Sequence, residues 1–314
     1  MDQNTTVNIT RLMHENYGIN VRSLSLLKTG VQNSNFKIST TKGIYILRKY
    51  NFKNIDAIDY TLKVLHTLNK SNFPCPKLIK TIDGHYHSLY QNRPVIVYEY
   101  IPGSNIRHTP RNLLDEIAIL QAKMHLLLHK STDTSNNLTW DYNDLLMFIN
   151  QKTKKIIESG FPDASELIDY IQSEMEHIVI PDSLPKGGTH QDIKPDNVIV
   201  YNDRINGIVD FDNGYWGDLL HDITTTICWY CFSSFNFDIN LYERFMSSYQ
   251  KIRELDKIEK DCIYQSIKYR LLRESIIWPM YVSHNIKSAK KYSDYFLSCY
   301  YQFDISEARL KKVL

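Results

Sequence analysis

The stretch His190-Gln191-Asp192-Ile193-Lys194-Pro195-Asp196-Asn197, with Asp210 thirteen residues beyond Asn197 in Ile208-Val209-Asp210-Phe211-Asp212, sets narrow terms for any fold that contains it. Between Asn197 and Asp210 lie Val198-Ile199-Val200-Tyr201, the turn residues Asn202-Asp203-Arg204, and Ile205-Asn206-Gly207-Ile208-Val209, a β-hairpin pattern. A hairpin brings its outer ends side by side, so Asn197 and Asp210 are expected on neighbouring strands, roughly 5 Å apart. At that separation both reach one cation. Asp192, in a loop broken by Pro195, is then expected to face a phosphate on that cation. Phosphoryl transfer from a nucleotide requires a carboxylate to orient and deprotonate a hydroxyl, and oxygen ligands to hold Mg²⁺ on the phosphates. The pattern therefore predicts Asp192 as the base and Asn197 and Asp210 as the metal pair. His190 is expected to brace the loop. Lys194 either steadies the transferring phosphoryl group or is a solvated loop lysine. Asp212 reads as a turn former rather than a further metal acid, and Asp222 as either a brace for the loop or a helix N-terminal acid.

The rest of the chain is compatible with a folded enzyme of small molecules. Its 314 residues suffice for two lobes with a substantial core, and 43% hydrophobic with 23% charged residues is ordinary globular composition. Net charge is +2, which gives no bulk electrostatic case for nucleic acid or an anionic membrane. No window is long and apolar enough to span a bilayer, and the N-terminus has neither a basic nor an apolar signal region, so a cytoplasmic protein is expected. The five cysteines are scattered, as reduced thiols would be. Cys228 and Cys231 form a C-x-x-C inside an apolar helical run, where they read as core residues.

The first hundred residues alternate like strands. After a short helix over 5–18, Val21–Leu27, Phe36–Thr40 and Ile44–Tyr50 form an antiparallel meander. Its first turn, with Gly30, Asn33 and Asn35, is either a plain hairpin turn or a set of backbone N–H groups and amides lying over nucleotide phosphates. Residues 54–71 carry Ile58, Leu62, Leu65 and Leu68 at helical spacing. Two strand patterns follow Phe73-Pro74-Cys75-Pro76, at 86–90 and 94–100. Beyond Pro102-Gly103 the chain turns helical, over 111–130, to 160, over 164–179, and throughout from 217.

The loop spacing resembles the His-x-Asp-x4-Asn loop and following metal-binding Asp of the protein-kinase-like superfamily. Gly214-Tyr215-Trp216-Gly217-Asp218-Leu219-Leu220-His221-Asp222-Ile223 looks like the Gly-Asp-Pro-x-x-Asp-Leu segment of aminoglycoside phosphotransferases and related small-molecule kinases, the choline-kinase-like enzymes among them. Gly30-Val31-Gln32-Asn33-Ser34-Asn35-Phe36, Thr40 to Leu47 and the Pro-Cys-Pro turn look most like homoserine kinases of that type. The resemblance implies an α+β, two-lobed protein-kinase-like fold, with an antiparallel sheet N-lobe and a mainly helical C-lobe. Residues 1–101 would be the nucleotide-binding lobe and 102–314 the catalytic and substrate-binding lobe. It implies ATP or GTP as co-substrate with Mg²⁺, and a small-molecule hydroxyl as acceptor. Arg48 stands where the family carries its phosphate-binding base, with a solvated strand charge as the alternative. Backbone groups of Glu99 and Ile101, in the lobe connector, would bind adenine. The helix that usually supplies a glutamate to the phosphate-binding base has only Asp56 and Asp59.

Homoserine is the favoured acceptor. An aminoglycoside would call for several pocket acids, and a choline-like alcohol is a further alternative. A hydroxy amino acid needs a cation for its carboxylate and an anion for its amine. Arg270, Arg273 and Glu274 offer that pair, or else form a surface ion network. A Ser/Thr protein kinase is opposed by the missing G-x-G-x-x-G and Ala-Pro-Glu. A nucleotide-binding regulator without turnover is opposed by the presence of Asp192, Asn197 and Asp210 together.

Overall fold

The computed structural model describes residues 3–27, 33–52, 54–106, 113–129, 142–281, 286–303 and 307–314. In chain order the elements are α1 (Gln3–Tyr17), β1 (Val21–Leu27), β2 (Ser34–Thr40), β3 (Ile44–Lys49), α2 (Asp56–Lys70), β4 (Ser88–Tyr90), β5 (Arg93–Glu99), β6 (Ser104–Asn105), α3 (Leu114–Leu128), α4 (Tyr142–Glu158) and α5 (Ala164–Met175). They continue with β7 (Lys186–Gly188), β8 (Val198–Tyr201), β9 (Arg204–Ile208), β10 (Trp216–Asp218), α6 (Leu219–Tyr230), β11 (Phe232–Ser233), β12 (Asn236–Phe237), α7 (Ile239–Gln250), α8 (Lys257–Tyr281), α9 (Ile286–Tyr301) and α10 (Glu307–Lys311). The chain divides into two compact units, 1–106 with 196–212, and 107–195 with 213–314.

The first unit is built on an antiparallel sheet of order β1-β2-β3-β5-β4. Strand β5 is apolar on both sides because helices cover both faces. Val95 and Val97 join the α1 residues Ile9, Leu12, Met13 and Tyr17 in one cluster, while Ile96 and Tyr98 join Ile58 and Leu62 of α2 in another. The α1 positions recur at helical spacing, so one stripe is buried. Asn69, at the end of α2, fastens the Pro-Cys-Pro turn by donating to Pro76 O and accepting from Leu78 N, both at 3.0 Å. That turn in turn accepts from Ile208 N at Pro74 O, 2.9 Å away, and so carries the hairpin β8–β9. Asn202 and Asp203 both take positive φ, 50° and 57°, the backbone of a tight two-residue hairpin turn.

The second unit is mainly helical. Helix α6 is buried along nearly its whole length, which explains its unbroken Leu-Leu-His-Asp-Ile-Thr-Thr-Thr-Ile-Cys run. The region from 217 onward is not wholly helical: Trp216–Asp218 pairs with Lys186–Gly188, and Phe232–Ser233 forms a small hairpin with Asn236–Phe237. These strands are two or three residues long and have no period to read; cross-chain pairing defines them. All five cysteines are unpaired and buried, and burial pushes the Cys228 thiol well above its usual range. The C-x-x-C is core. No described helix is long and apolar enough to cross a membrane.

Candidate active site

In the first unit, the hairpin base is closed by Val209 N donating to Asn197 O at 2.9 Å, which brings the backbones of the expected metal pair together. Asn197 is buried, and Asp210 stands at φ 70° with its side chain 36% exposed. Arg48, on β3, reaches both nearby acids: its Nη2 lies 2.7 Å from Asp210 Oδ1 and 2.6 Å from Asp212 Oδ2. Neither Asp56 nor Asp59 takes the family glutamate's part at this guanidinium, because the acids that follow the hairpin occupy it. Asn35 lies directly across from Arg48 in the β2–β3 register.

Asp212 does more than form a turn. Tyr50 donates its hydroxyl to Asp212 Oδ1 and Asn33 its amide to Oδ2, each at 2.9 Å. Burial pushes this carboxyl up to about 6, with Asp210 beside it acting in the same direction; Arg48, Tyr50 and Asn33 pull the other way. No local pattern signals this anchor, since Tyr50 and Asp212 are 162 positions apart.

The connector continues strand β5. Tyr100 N donates to Ile44 O and Glu99 N to Lys77 O, both at 3.0 Å, so the Glu99 amide is turned away from β3. Ile101 rests on Gly207, where an added Cβ would lie 2.7 Å from its Cδ1. Gly30 lies outside the described residues.

In the second unit, the loop around Asp192 is clamped from several elements. Gln191 is buried at φ 62°, a conformation that side chains rarely take. Asp222 Oδ1 accepts from His190 N at 3.2 Å and, more closely, from Gln191 N. Its Oδ2 is 2.8 Å from His125 Nε2 and accepts from Gln121 at 3.2 Å; His125 Nδ1 lies 2.6 Å from the Tyr249 hydroxyl. Burial opposes the Asp222 charge, but His125 and the loop amides outweigh it and hold this carboxyl down at about 2. Asp222 is thus a brace. His190 also braces: its Nδ1 accepts from Asp192 N at 3.2 Å, which places the ring proton on Nε2.

Asp192 Oδ2 accepts from Lys194 Nζ at 2.8 Å and from Asn213 at 3.3 Å. Lys194 is only 19% exposed, so it is a paired loop residue rather than a solvated one. Arg270, Arg273 and Glu274 are not a surface network either, being 2%, 5% and 6% exposed. Arg270 donates to Gln191 Oε1 and to Gln191 O, both at 3.0 Å, and Glu274 lies 2.9 Å from it and 2.6 Å from Arg273. That this stretch is helical was expected from sequence, but its buried charged side chains were not.

Among the described residues, no three His, Cys, Asp or Glu gather as a metal-binding group. Asn197 and Asp210, whose backbones are brought together at the hairpin base, carry oxygen donors of the kind Mg²⁺ takes beside waters and phosphate oxygens.

An antiparallel sheet covered by helices on both faces in one unit and a mainly helical second unit are the fold of the kinase-like phosphotransferases. The profile of the phosphotransferase enzyme family matches residues 23–259, and the chain belongs to that family. Among curated relatives, a homoserine kinase of Sinorhizobium fredii is 26% identical over 230 residues, covering 72% of this chain and 69% of that protein. One of Rhodopseudomonas palustris is 28% identical over 236 residues, covering 74% and 71%. Among solved structures, an amicoumacin kinase in complex with AMP-PNP and Ca²⁺ superposes with a TM-score of 0.72 at 13% identity, covering 99% of this chain and 97% of that one. A microcompartment-associated aminopropanol kinase superposes with a TM-score of 0.67 at 17% identity, covering 94% and 95%. The two-lobed fold, sheet then helices, is the one the sequence implied.

Proposed function

We propose that this enzyme transfers the γ-phosphoryl group of ATP to the hydroxyl of a small molecule, with homoserine as the acceptor. The observation that carries the reading is Asp192, paired with Lys194 and Asn213 on a loop held by Asp222, His125 and Arg270. So much bracing of one carboxylate and its strained neighbour suits a group that must be placed within tenths of an ångström. The curated relatives named homoserine kinase support the choice of acceptor.

In this reading Asp192 orients the acceptor hydroxyl and takes its proton as the oxygen–phosphorus bond forms and the bond to the departing ADP breaks. Lys194 offsets charge beside it. Asn197 and Asp210 would hold Mg²⁺, which when bound would neutralise charge on the phosphates. Arg48 with Asn33, Asn35 and the Gly30 turn serves the phosphates, and the Glu99 carbonyl and Ile101 amide serve the adenine. The division of labour is a nucleotide lobe over 1–101 and a catalytic and acceptor lobe over 102–314.

The test is nucleotide consumption with homoserine, 3-aminopropanol, choline and an aminoglycoside, using Asp192→Asn as control. Homoserine-dependent ADP release is expected, falling roughly 10²-fold or more in the variant while nucleotide binding persists. Strong turnover of the aminoglycoside or choline beside none of homoserine would reject the acceptor. Unchanged turnover in Asp192→Asn would reject the base.

A further inference from the structure

Transfer to a hydroxyl leaves open what grips the rest of the acceptor. Arg270 is not available, since its two terminal nitrogens are engaged by Gln191 and Glu274. A second place in the same unit has the right chemistry. A recess of about 410 Å³ between α6 and α9 is walled by Trp229, Phe235, Tyr292 and Tyr295 and carries Lys291 and Asp294. Trp229 links this recess to the catalytic loop. Its ring centroid lies 5.7 Å from Lys194 Nζ, and the same nitrogen is 2.8 Å from Asp192 Oδ2.

The walls are set by ring packing rather than left to rotate. Tyr292 stacks on Trp278 at 4.1 Å and 18°, and Trp229 stands edge-on to Phe296 at 5.1 Å and 86°. Behind Tyr292, the Trp278 Nε1–H is buried without a hydrogen-bond partner among the described residues. Aromatic faces attract an ammonium group, the more strongly the further it is desolvated. Lys291 and Asp294 are three positions apart on α9 and therefore share a side of the helix. Both are exposed, Asp294 lying 3.1 Å from Lys290. One cation and one anion beside aromatic faces match the carboxylate and ammonium of an amino acid. An aminoglycoside, with several ammonium groups and no carboxylate, would find one acid and a repelling lysine.

Resting on the kinase reading, we propose that this recess binds the zwitterionic end of a hydroxy amino acid, its ammonium against Trp229, Tyr292 and Asp294 and its carboxylate on Lys291, with the hydroxyl directed to Asp192. Calorimetry on the full chain in the presence of AMP-PNP and Mg²⁺ tests it with three ligands: homoserine, 3-aminopropanol, which lacks the carboxylate, and 4-hydroxybutyrate, which lacks the amine. Homoserine is expected to bind roughly tenfold more tightly than either. Asp294→Asn and Trp229→Leu should weaken the two amines about fivefold or more and spare 4-hydroxybutyrate, whereas Lys291→Met should weaken the two carboxylates and spare 3-aminopropanol. Asp294 and Lys291 are exposed, so their variants read out binding even if Trp229→Leu folds poorly. No binding, equal binding of all three ligands, or affinities unmoved by the exposed-site variants would overturn the recess. Nucleotide consumption with another alcohol, unaffected by these substitutions, would overturn it while leaving phosphoryl transfer standing. Binding with the predicted selectivity but without nucleotide consumption would uphold the recess and remove the transfer reading.

Discussion

Asp210 and Asp212 stand two residues apart and share Arg48, yet they are held for different ends. Asp212 is 20% exposed and fixed by three donors from the meander, while Asp210 is 36% exposed at the foot of the hairpin beside Asn197. Asp210→Ala is therefore expected to remove the Mg²⁺ dependence of nucleotide binding with a modest effect on stability. Asp212→Ala should do the reverse, costing about 1–3 kcal/mol by leaving the Tyr50 hydroxyl and the Asn33 amide without their acceptor. Calorimetry with and without Mg²⁺, beside urea unfolding of each variant, separates the two. Equal loss of Mg²⁺ dependence in both would mean that the metal has been assigned to the wrong carboxylate. The spacing from Asn197 to Asp210 was legible in sequence because a hairpin is a local object. Asp212's partners were not, because nothing in a turn sequence announces a tyrosine 162 positions away.

Elements with a strong period were readable to within a few residues: the meander, α2 and the hairpin each follow from local alternation or helical spacing. The connector shows what such reading leaves out. Pro102-Gly103 marks a lobe boundary in sequence, but the glycine is required by packing: at φ 130°, an added Cβ would lie 2.4 Å from Val200 O. Behind it, Ser104 and Asn105 pair with Val200 and Ile199, making β6 the third strand of the hairpin's sheet. Gly103→Ala should therefore destabilise by more than about 1 kcal/mol, through both the backbone conformation and the displaced β6–β8 pairing. A urea midpoint equal to that of the unaltered chain would show that the connector yields without cost.

At the scale of the whole molecule, element order was legible because hydrophobic periods are local. The interior charge of the helical unit was not, because it depends on residues brought together from far along the chain. His125 and Asp222 are 97 positions apart, and His221 is enclosed with Arg270, Arg273, Lys186, Asp218 and Tyr269 around it. Burial first, then the neighbouring cations, push the His221 imidazole down to about 3. Its folded value thus lies below that of the unfolded chain, about 6.5. On acidification the unfolded state takes up the proton first, so the stabilisation is whole above about pH 6.5 and is lost progressively towards pH 3. Asp222, held near 2, adds a further loss of the same sign only below about pH 4. His125, also depressed by burial, contributes in the same direction, so the informative quantity is the difference between two proteins. Between pH 7.5 and pH 5, His221 alone should cost about 2 kcal/mol. His221→Gln keeps a polar, uncharged side chain and should flatten that part of the slope while leaving the steeper loss below pH 4. Urea titrations of both proteins at pH 7.5, 6, 5 and 3.5 read this directly. Parallel curves across the upper three values would show that His221 takes up its proton without opposing the fold, and that the acid limit of the enzyme is set elsewhere.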